Sequence, residues 1–389
     1  MTRMTFDAVA EAQPGAKWRG RWQRSWPAYE GWFVARGGDA GPDRRACRAA
    51  LAQHMPELLP VYNRLLALAG DTDRAAKFLS TWCPPRYLGG CSLAALADGA
   101  EVRLVRNYDL SPDLNEGFLL RSEWTGRAVM GMVEFLWGLS DGINDAGLSV
   151  ALAYGGRTEV GQGFGITTIL RYLLETCTTV EDAVKILMRV PSHMAYNVVL
   201  ADRGGDTASV EVLPGGGARR MPQAIATNHQ TGAGRPAGAD FSRTYERHAH
   251  LQRLASPPQT LHAQFLKAPL RQDRFDAGFG TLFTAEYDPV RGSMRLLWPK
   301  EQWHQSLDAF VEGRRTVSLV TPVAVPTQTR PACTAPAPAA DVPDWSLSAR
   351  VDWLAVGRDF AAGRGQPIAA YLAQVAHATG GTRRAACPA

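Results

Sequence analysis

Hydrophobic positions fall along this chain in two textures. Up to about residue 86 they recur at helical spacing within polar sequence. The segment "HMPELLPVYNRLLALAG", residues 54–70, is apolar at every third or fourth position and ends in glycine, which predicts a helix that stops there. Trp18, Trp22 and Trp26 stand four apart and would share one face of an earlier helix, packed on the body of the protein; Pro27 is expected to end that helix. From residue 91 the period changes. "SLAALA", "VRLVRNYDL", "FLLRSEW", "RAVMGMVEFL", "GLSVALAY", "NVVLADR" and "SVEVLP" are short runs bounded by Gly, Asp or Pro, which read as strands. Between them "GITTILRYLLETCTTVEDAVKILMRV" predicts two helices joined at a Thr pair, with Thr178 and Glu181 at capping-box spacing. "TLFTAEYDPVRGSMRLLWP" predicts a further hairpin turning at "DPVRG".

Strands in groups with helices between and outside them, rather than a repeating βαβ order, predict an α+β layered domain. The expected organisation is a helical N-terminal segment over 1–90, a main domain over 91–321, a Pro/Ala-rich linker over 322–344 and a C-terminal helical tail over 345–389.

Composition changes this picture little. Of 389 residues, 46% are apolar and 20% charged, the balance of an ordinary globular protein with a substantial core. The net charge of +5 is spread along the chain, and "RRACR" and "GTRRAAC" are short and lack interleaved aromatics. Nucleic-acid binding is therefore not expected. No run approaches the ~20 apolar residues of a spanning helix. The opening "MTRMTFDAVAEAQPG" has no apolar core, so no signal peptide or membrane partner is expected and the expected location is the cytoplasm. The six cysteines are scattered without a CxxC pair, so zinc and thioredoxin-type chemistry is not expected. Likewise "GQGFG" lacks the lysine and spacing of a phosphate loop, and no cofactor or metal is called for.

Three candidate chemistries remain. "GLSDG", residues 138–142, matches G-x-S-x-G with Ser140 as nucleophile, but that motif needs a strand-to-helix turn and the following residues read as a turn and another strand. Cys91 and His229 have a separation like that of thiol-protease pairs, without the residues that surround such a cysteine. The third reading starts from "YLGGCSLAAL". If the Gly90–Cys91 bond is cut, Cys91 carries both a thiol and an α-amine. That amine, with an intrinsic pKa near ~8, can act as base for its own side chain. The unhindered Gly89–Gly90 pair suits attack by the thiol on the preceding carbonyl. Cys83, in "WCPP", is a rival thiol, but Pro84 follows it directly and nothing else in the pattern aligns.

The ordered series "GGCSLAAL", "VRNYDL", "GINDAGLSVAL", "YNVVLADRGGDTASVEVLP", "ATNHQ" and "DFSRTYERH" resembles N-terminal-nucleophile hydrolases of the acyl-CoA:6-aminopenicillanic-acid acyltransferase type over about residues 86–300. Choloylglycine hydrolases and penicillin V acylases are similar at greater distance. The resemblance implies a four-layer αββα sandwich and acyl transfer from an amide C–N bond through a thioester on Cys91, with self-cleavage between Gly90 and Cys91. Residue by residue it implies Arg106 and Asp109 beside the thiol, Asn144 and Asn228 as amides lining the site with Asn228 the oxyanion donor, and a Ser242–Arg243 pair near the nucleophile, Arg243 being taken over Arg247. It further implies a small-molecule amide or acyl substrate, with acyl-CoA a compatible partner. The first 90 residues would be kept as a small subunit, and a homo-oligomer is compatible. The alternatives are an uncut Cys91/His229 hydrolase and a non-catalytic binding protein on the same fold.

Overall fold

The computed structural model of the chain describes residues 3–87, 89–236, 238–319 and 370–371. The expected linker over 322–344 lies outside the described residues, as does the expected tail apart from residues 370–371.

The chain opens with a strand, β1 (Arg3–Ala10), then four helices, α1 (Ala16–Ala35), α2 (Arg44–His54), α3 (Leu59–Leu68) and α4 (Asp73–Ser80). Six strands follow: β2 (Gly90–Asp98), β3 (Glu101–Leu110), β4 (Phe118–Ser122), β5 (Val129–Glu134), β6 (Gly138–Asn144) and β7 (Leu148–Tyr154). After the helix pair α5 (Ile166–Thr176) and α6 (Val180–Arg189) come β8 (Tyr196–Asp202), β9 (Thr207–Val212), β10 (Ala218–Met221) and β11 (Ile225–Ala226). Three short helices, α7 (Ala239–Ser242), α8 (Thr244–Gln252) and α9 (Leu261–Phe265), precede β12 (Asp273–Arg274), β13 (Phe279–Asp288), β14 (Ser293–Trp298), β15 (Glu301–Ser306) and β16 (Gly313–Ser318).

The strands form two sheets. One runs β10-β9-β8-β7-β6-β5-β4-β1-β16; the other runs β11-β2-β3-β13-β14-β15, with β12 paired to β13. Three separate apolar clusters show how these stack. The first joins α1–α6 to the outer face of the nine-stranded sheet, through Trp22, Leu65, Leu79, Leu170 and Val198 among others. The second lies between the sheets and includes Phe6, Cys91, Leu104, Met132 and Phe283. The third places Leu251, Leu261 and Phe265 over Ala94 and Val105 on the far face of the second sheet. Helix, sheet, sheet, helix is the expected α+β four-layer order. No helix among the described residues is long and apolar enough to cross a membrane.

The local rules hold in most places. Helix α3 stops where Gly70 takes φ +91°, a conformation open to glycine. Elsewhere the structure corrects the sequence reading. The first residues are not purely helical: β1 lies inside the nine-stranded sheet, parallel to β4 and antiparallel to β16. Its alternation is real but short, with Met4, Phe6 and Ala8 buried. Pro27 does not end its helix, since α1 runs through it to Ala35. The loss of one backbone donor is outweighed by packing on both sides of it: Trp22 stacks on Trp18 and Trp26 at 5.5 and 4.3 Å before the proline, and Tyr29 and Trp32 meet Phe78 and Phe135 at 5.1 and 5.6 Å after it. The cap of α6 is Thr179, which accepts from Asp182 N at 3.2 Å, while Thr178 donates to the Asp182 carboxylate at 3.0 Å. The capping pair therefore sits one residue later than Thr178 and Glu181. β6 carries no alternating pattern because Ser140, Asp141 and Asn144 are all buried in it.

Candidate functional site

Cys91 is the second residue of β2 and is 1% exposed. β2 and β3 pair antiparallel, with Gly90 opposite Asp109, Cys91 opposite Tyr108 and Leu93 opposite Arg106. Side chains alternate across a strand, so Cys91, Arg106 and Tyr108 point between the sheets while Ser92 and Asp109 point to the other face. Two arginines meet the cysteine from these two sides.

On the inner side, Arg106 is fully buried and its Nη2 donates to Cys91 Sγ at 3.2 Å. Its Nη1 donates to Asp141 Oδ2 at 2.5 Å and Ser140 Oγ at 2.8 Å, and the guanidinium lies 4.3 Å over the Tyr108 ring. On the outer side, Arg247 of α8 donates from Nη1 to Cys91 O at 2.5 Å and to Ser92 Oγ at 2.8 Å. Its Nη2 donates to Asn228 Oδ1 at 2.8 Å, and its Nη1 lies 3.7 Å from Asp109 Oδ2. Asn228 spans the peptide on either side of Gly90: its Oδ1 accepts from Cys91 N at 3.0 Å, and its Nδ2 donates to Gly89 O at 3.3 Å and to Tyr154 O at 3.1 Å. Gly90 itself has no room for a side chain, because a Cβ there would sit 2.5 Å from the Phe279 ring and 3.0 Å from Asp109 O. The segment before the thiol is thus held in one path by backbone and amide contacts.

In the intact chain the thiol is pushed up to about 11, chiefly by burial, against the lowering effect of Arg106. Burial also raises the Asp109 carboxyl, against the pull of Arg247 and a 2.6 Å hydrogen bond from Thr281. Oδ2 of Asp109 is buried without a hydrogen-bond partner.

The structure gathers Cys91, Gly90, Arg106, Asp109 and Asn228 in one place. It does not bring the other named residues there. Asn144 lies on the outer face of β6, donating to Leu174 O and Cys177 O at 2.9 and 2.8 Å and accepting from Leu148 N. It fastens the end of α5 to the sheet. Ser242 reaches the network only through its carbonyl, which accepts from Arg247 Nε at 2.8 Å. Arg243 is a correction: it is paired with Glu246 at the surface, and the arginine of this segment that reaches Cys91, at its carbonyl and not its thiol, is Arg247. Arg243 has φ +52° at the junction of α7 and α8, which turns it outward; four residues on, one helical turn carries Arg247 inward.

The rival motifs resolve too. His229 Nδ1 is shared between Thr227 and Thr244 hydroxyls at 3.2 and 3.0 Å, and burial lowers its pKa to about 4. It makes no hydrogen bond to Cys91. Ser140 sits within a strand and not on a turn into a helix, and it accepts from Arg106. Cys83 is bound through its backbone to Gly163, away from these groups.

Sequence reasoning set Arg247 aside for Arg243 and missed Asp141, Tyr287 and Glu134. Glu134 closes β5; it keeps some surface, but Oε1 is buried and has no hydrogen-bond partner. Burial raises its carboxyl to about 7, opposed by Arg106 and a hydrogen bond from Tyr108. The folded state therefore holds this proton more tightly than the unfolded chain, whose carboxyl titrates near 4.5. Its cost to stability is absent at low pH and grows as pH rises through that window. Glu134→Gln should match the parent at pH 4 and be more stable by up to about 3 kcal/mol at pH 8, measured by urea unfolding at both. Equal stability at both pH values would show the carboxyl to be solvated.

The profile of the acyl-coenzyme A:6-aminopenicillanic acid acyl-transferase family matches residues 97–303, more than half of the chain. The chain belongs to this acyl-transferase family. The match takes in Arg106, Asp109, Asn228 and Arg247, while Gly90 and Cys91 stand just ahead of it. Among solved structures, the chain is similar to penicillin V acylase from Agrobacterium tumefaciens, at 16% identity, covering 56% of this chain and 86% of that one, with a TM-score of 0.39. It is also similar to a variant of conjugated bile acid hydrolase from Clostridium perfringens, at 13% identity, 61% and 100% coverage and a TM-score of 0.40. A Caenorhabditis elegans ortholog of N-acylethanolamine-hydrolyzing acid amidase is similar at 17% identity, 59% and 100% coverage and a TM-score of 0.39. No curated protein sequence matches the chain.

Proposed function

We propose that this acyl-transferase family member is a self-cutting cysteine amidohydrolase or acyltransferase whose nucleophile is Cys91. The observation that carries the reading is the placement of Cys91 Sγ on Arg106, with the peptide bond before it held by Asn228, whose Oδ1 accepts from both Cys91 N and Arg247. In the first step Sγ attacks the Gly90 carbonyl carbon. The Gly90–Cys91 C–N bond breaks, the thiol proton passes to the departing nitrogen, and Gly90 becomes a thioester on Sγ. Water then cleaves the thioester, leaving a Gly90 carboxylate and a Cys91 with free thiol and α-amine.

That amine is the base the intact chain lacks. With an intrinsic pKa near ~8 it takes the thiol proton, and Arg106 stabilises the thiolate. Sγ attacks a substrate amide, the C–N bond breaks, and the leaving amine receives the proton. Asn228 Nδ2 is the donor we assign to the developing oxyanion, an interaction typically worth ~2.7–4 kcal/mol. Water as acceptor gives hydrolysis, and an amine acceptor gives a new amide. The buried Asp109, opposite Gly90, is assigned to hold the new ammonium. Residues 1–90 would remain as a small subunit.

The experiment is an intact-mass measurement of the purified chain beside Cys91→Ala. Dividing 42.2 kDa in proportion to 90 and 299 of 389 residues, the chain should yield fragments of about 10 and 32 kDa, and the variant should stay whole. A parent chain that stays whole under native conditions would sink the self-cut.

A further inference from the structure

The "GLSDG" stretch has no nucleophile role in this fold, yet its serine and aspartate are both fully buried. Their placement follows from a break in the ladder between β5 and β6. Met132 pairs with Asp141 and Val133 pairs with Leu139, so Ser140 is one residue too many on its strand. In a regular strand Ser140 and Asp141 would point to opposite faces. The bulge removes that constraint, and both reach the same atom, Arg106 Nη1, at 2.8 and 2.5 Å. Gly131 lets the strands close at this point, since a Cβ there would stand 2.3 Å from Asp141 O.

The aspartate is itself braced. Tyr287 of β13 donates to Asp141 Oδ1 at 2.6 Å, so each carboxylate oxygen has one donor. The chain of contacts runs Tyr287–Asp141–Arg106–Cys91, from one sheet to the other and back. Arg106 thereby divides its two terminal nitrogens, one for the bulge and one for the thiol. We propose that the Ser140–Asp141 bulge, braced by Tyr287, is a positioning element that fixes the Arg106 guanidinium against Cys91 Sγ and sets how readily this thiol ionises. Its relevance to turnover rests on Cys91 being the reacting thiol.

The groups facing Arg106 and the thiol are Tyr108 from β3, Glu134 from β5, Asp141 from β6 and Tyr287 from β13, with Asp109 and Arg247 on the opposite face of β2 and β3. Two kinds of change then act in opposite directions. Asp141→Asn keeps an acceptor for Nη1 but removes a negative charge, leaving the thiolate as the main counter-ion of Arg106. Tyr287→Phe and Ser140→Ala keep every charge and loosen the brace.

The test is a pH titration of thiolate ultraviolet absorbance, each variant being subtracted from the same variant carrying Cys91→Ala. Asp141→Asn should lower the ionisation pH of Cys91 by about one unit, tenfold in the ionisation constant. Tyr287→Phe and Ser140→Ala should raise it. Folded variants that lose thermal stability without moving this titration would show a merely structural role and overturn the proposal, as would a rise for Asp141→Asn. If Asp141→Asn fails to fold, the two charge-neutral variants decide alone. The readout needs no turnover, so a chain that stays uncut yet shows these shifts would refute the self-cut and leave the brace standing.

Discussion

Arg247→Met should destabilise the fold by about 3–5 kcal/mol, the usual cost of removing one partner from a buried charged network. The methionine would fill much of the space, but Asp109 would be left buried with Thr281 as its hydrogen-bond donor. Cys91 O and Asn228 Oδ1 would each lose a donor. Because Asn228 is held by that contact, the proposed self-cut should also slow by about 10²-fold or more, as when an oxyanion donor is misplaced. Arg243→Ala is the control. Its side chain is 39% exposed and paired with Glu246, so its loss should cost less than about 1 kcal/mol. Urea unfolding and the time course of fragment appearance check both. Equal effects at the two positions would return Arg243 to the site.

The second large effect belongs to a residue far from the thiol in sequence. Phe6→Ala should cost about 3–5 kcal/mol. Phe6 is fully buried between the sheets, its ring centroid 5.9 Å from that of Phe283 and 5.1 Å from that of Trp298. The loss should appear in one cooperative transition, because β1 has partners on both edges. A separate early transition would mean that the N-terminal segment folds as an independent unit.

Most strands were legible because their apolar positions alternate or run continuously, as in "SLAALA" and "NVVLADR", whereas the four-layer order followed from the resemblance. Cys91, Arg106, Asp109 and Asn228 were legible through order along the chain together with resemblance. What stayed hidden has physical reasons. β6 buries polar side chains that serve Arg106 and α5, so no hydrophobic period marks it. Pro27 stays inside a helix because tryptophan packing outweighs one lost backbone bond. Arg243 and Arg247 could be told apart only by the backbone turn at Arg243, a feature that residue spacing does not carry. Glu134 and Asp141 gain their roles from partners on other strands.

The first strand of the chain carries a consequence for how the protein is made. β1 leaves the ribosome before the other described strands, but one of its two neighbours is β16, with Arg3 opposite Ser318. Until residues 313–318 have been synthesised, β1 can pair only with β4, and the nine-stranded sheet keeps an open edge. Contacts of such long sequence separation close late and slowly. The sheet that holds Asp141 against Arg106 is therefore complete only when almost the whole described chain exists. A nascent chain passes through a long stage in which Cys91 has been translated while the layer behind it is unfinished.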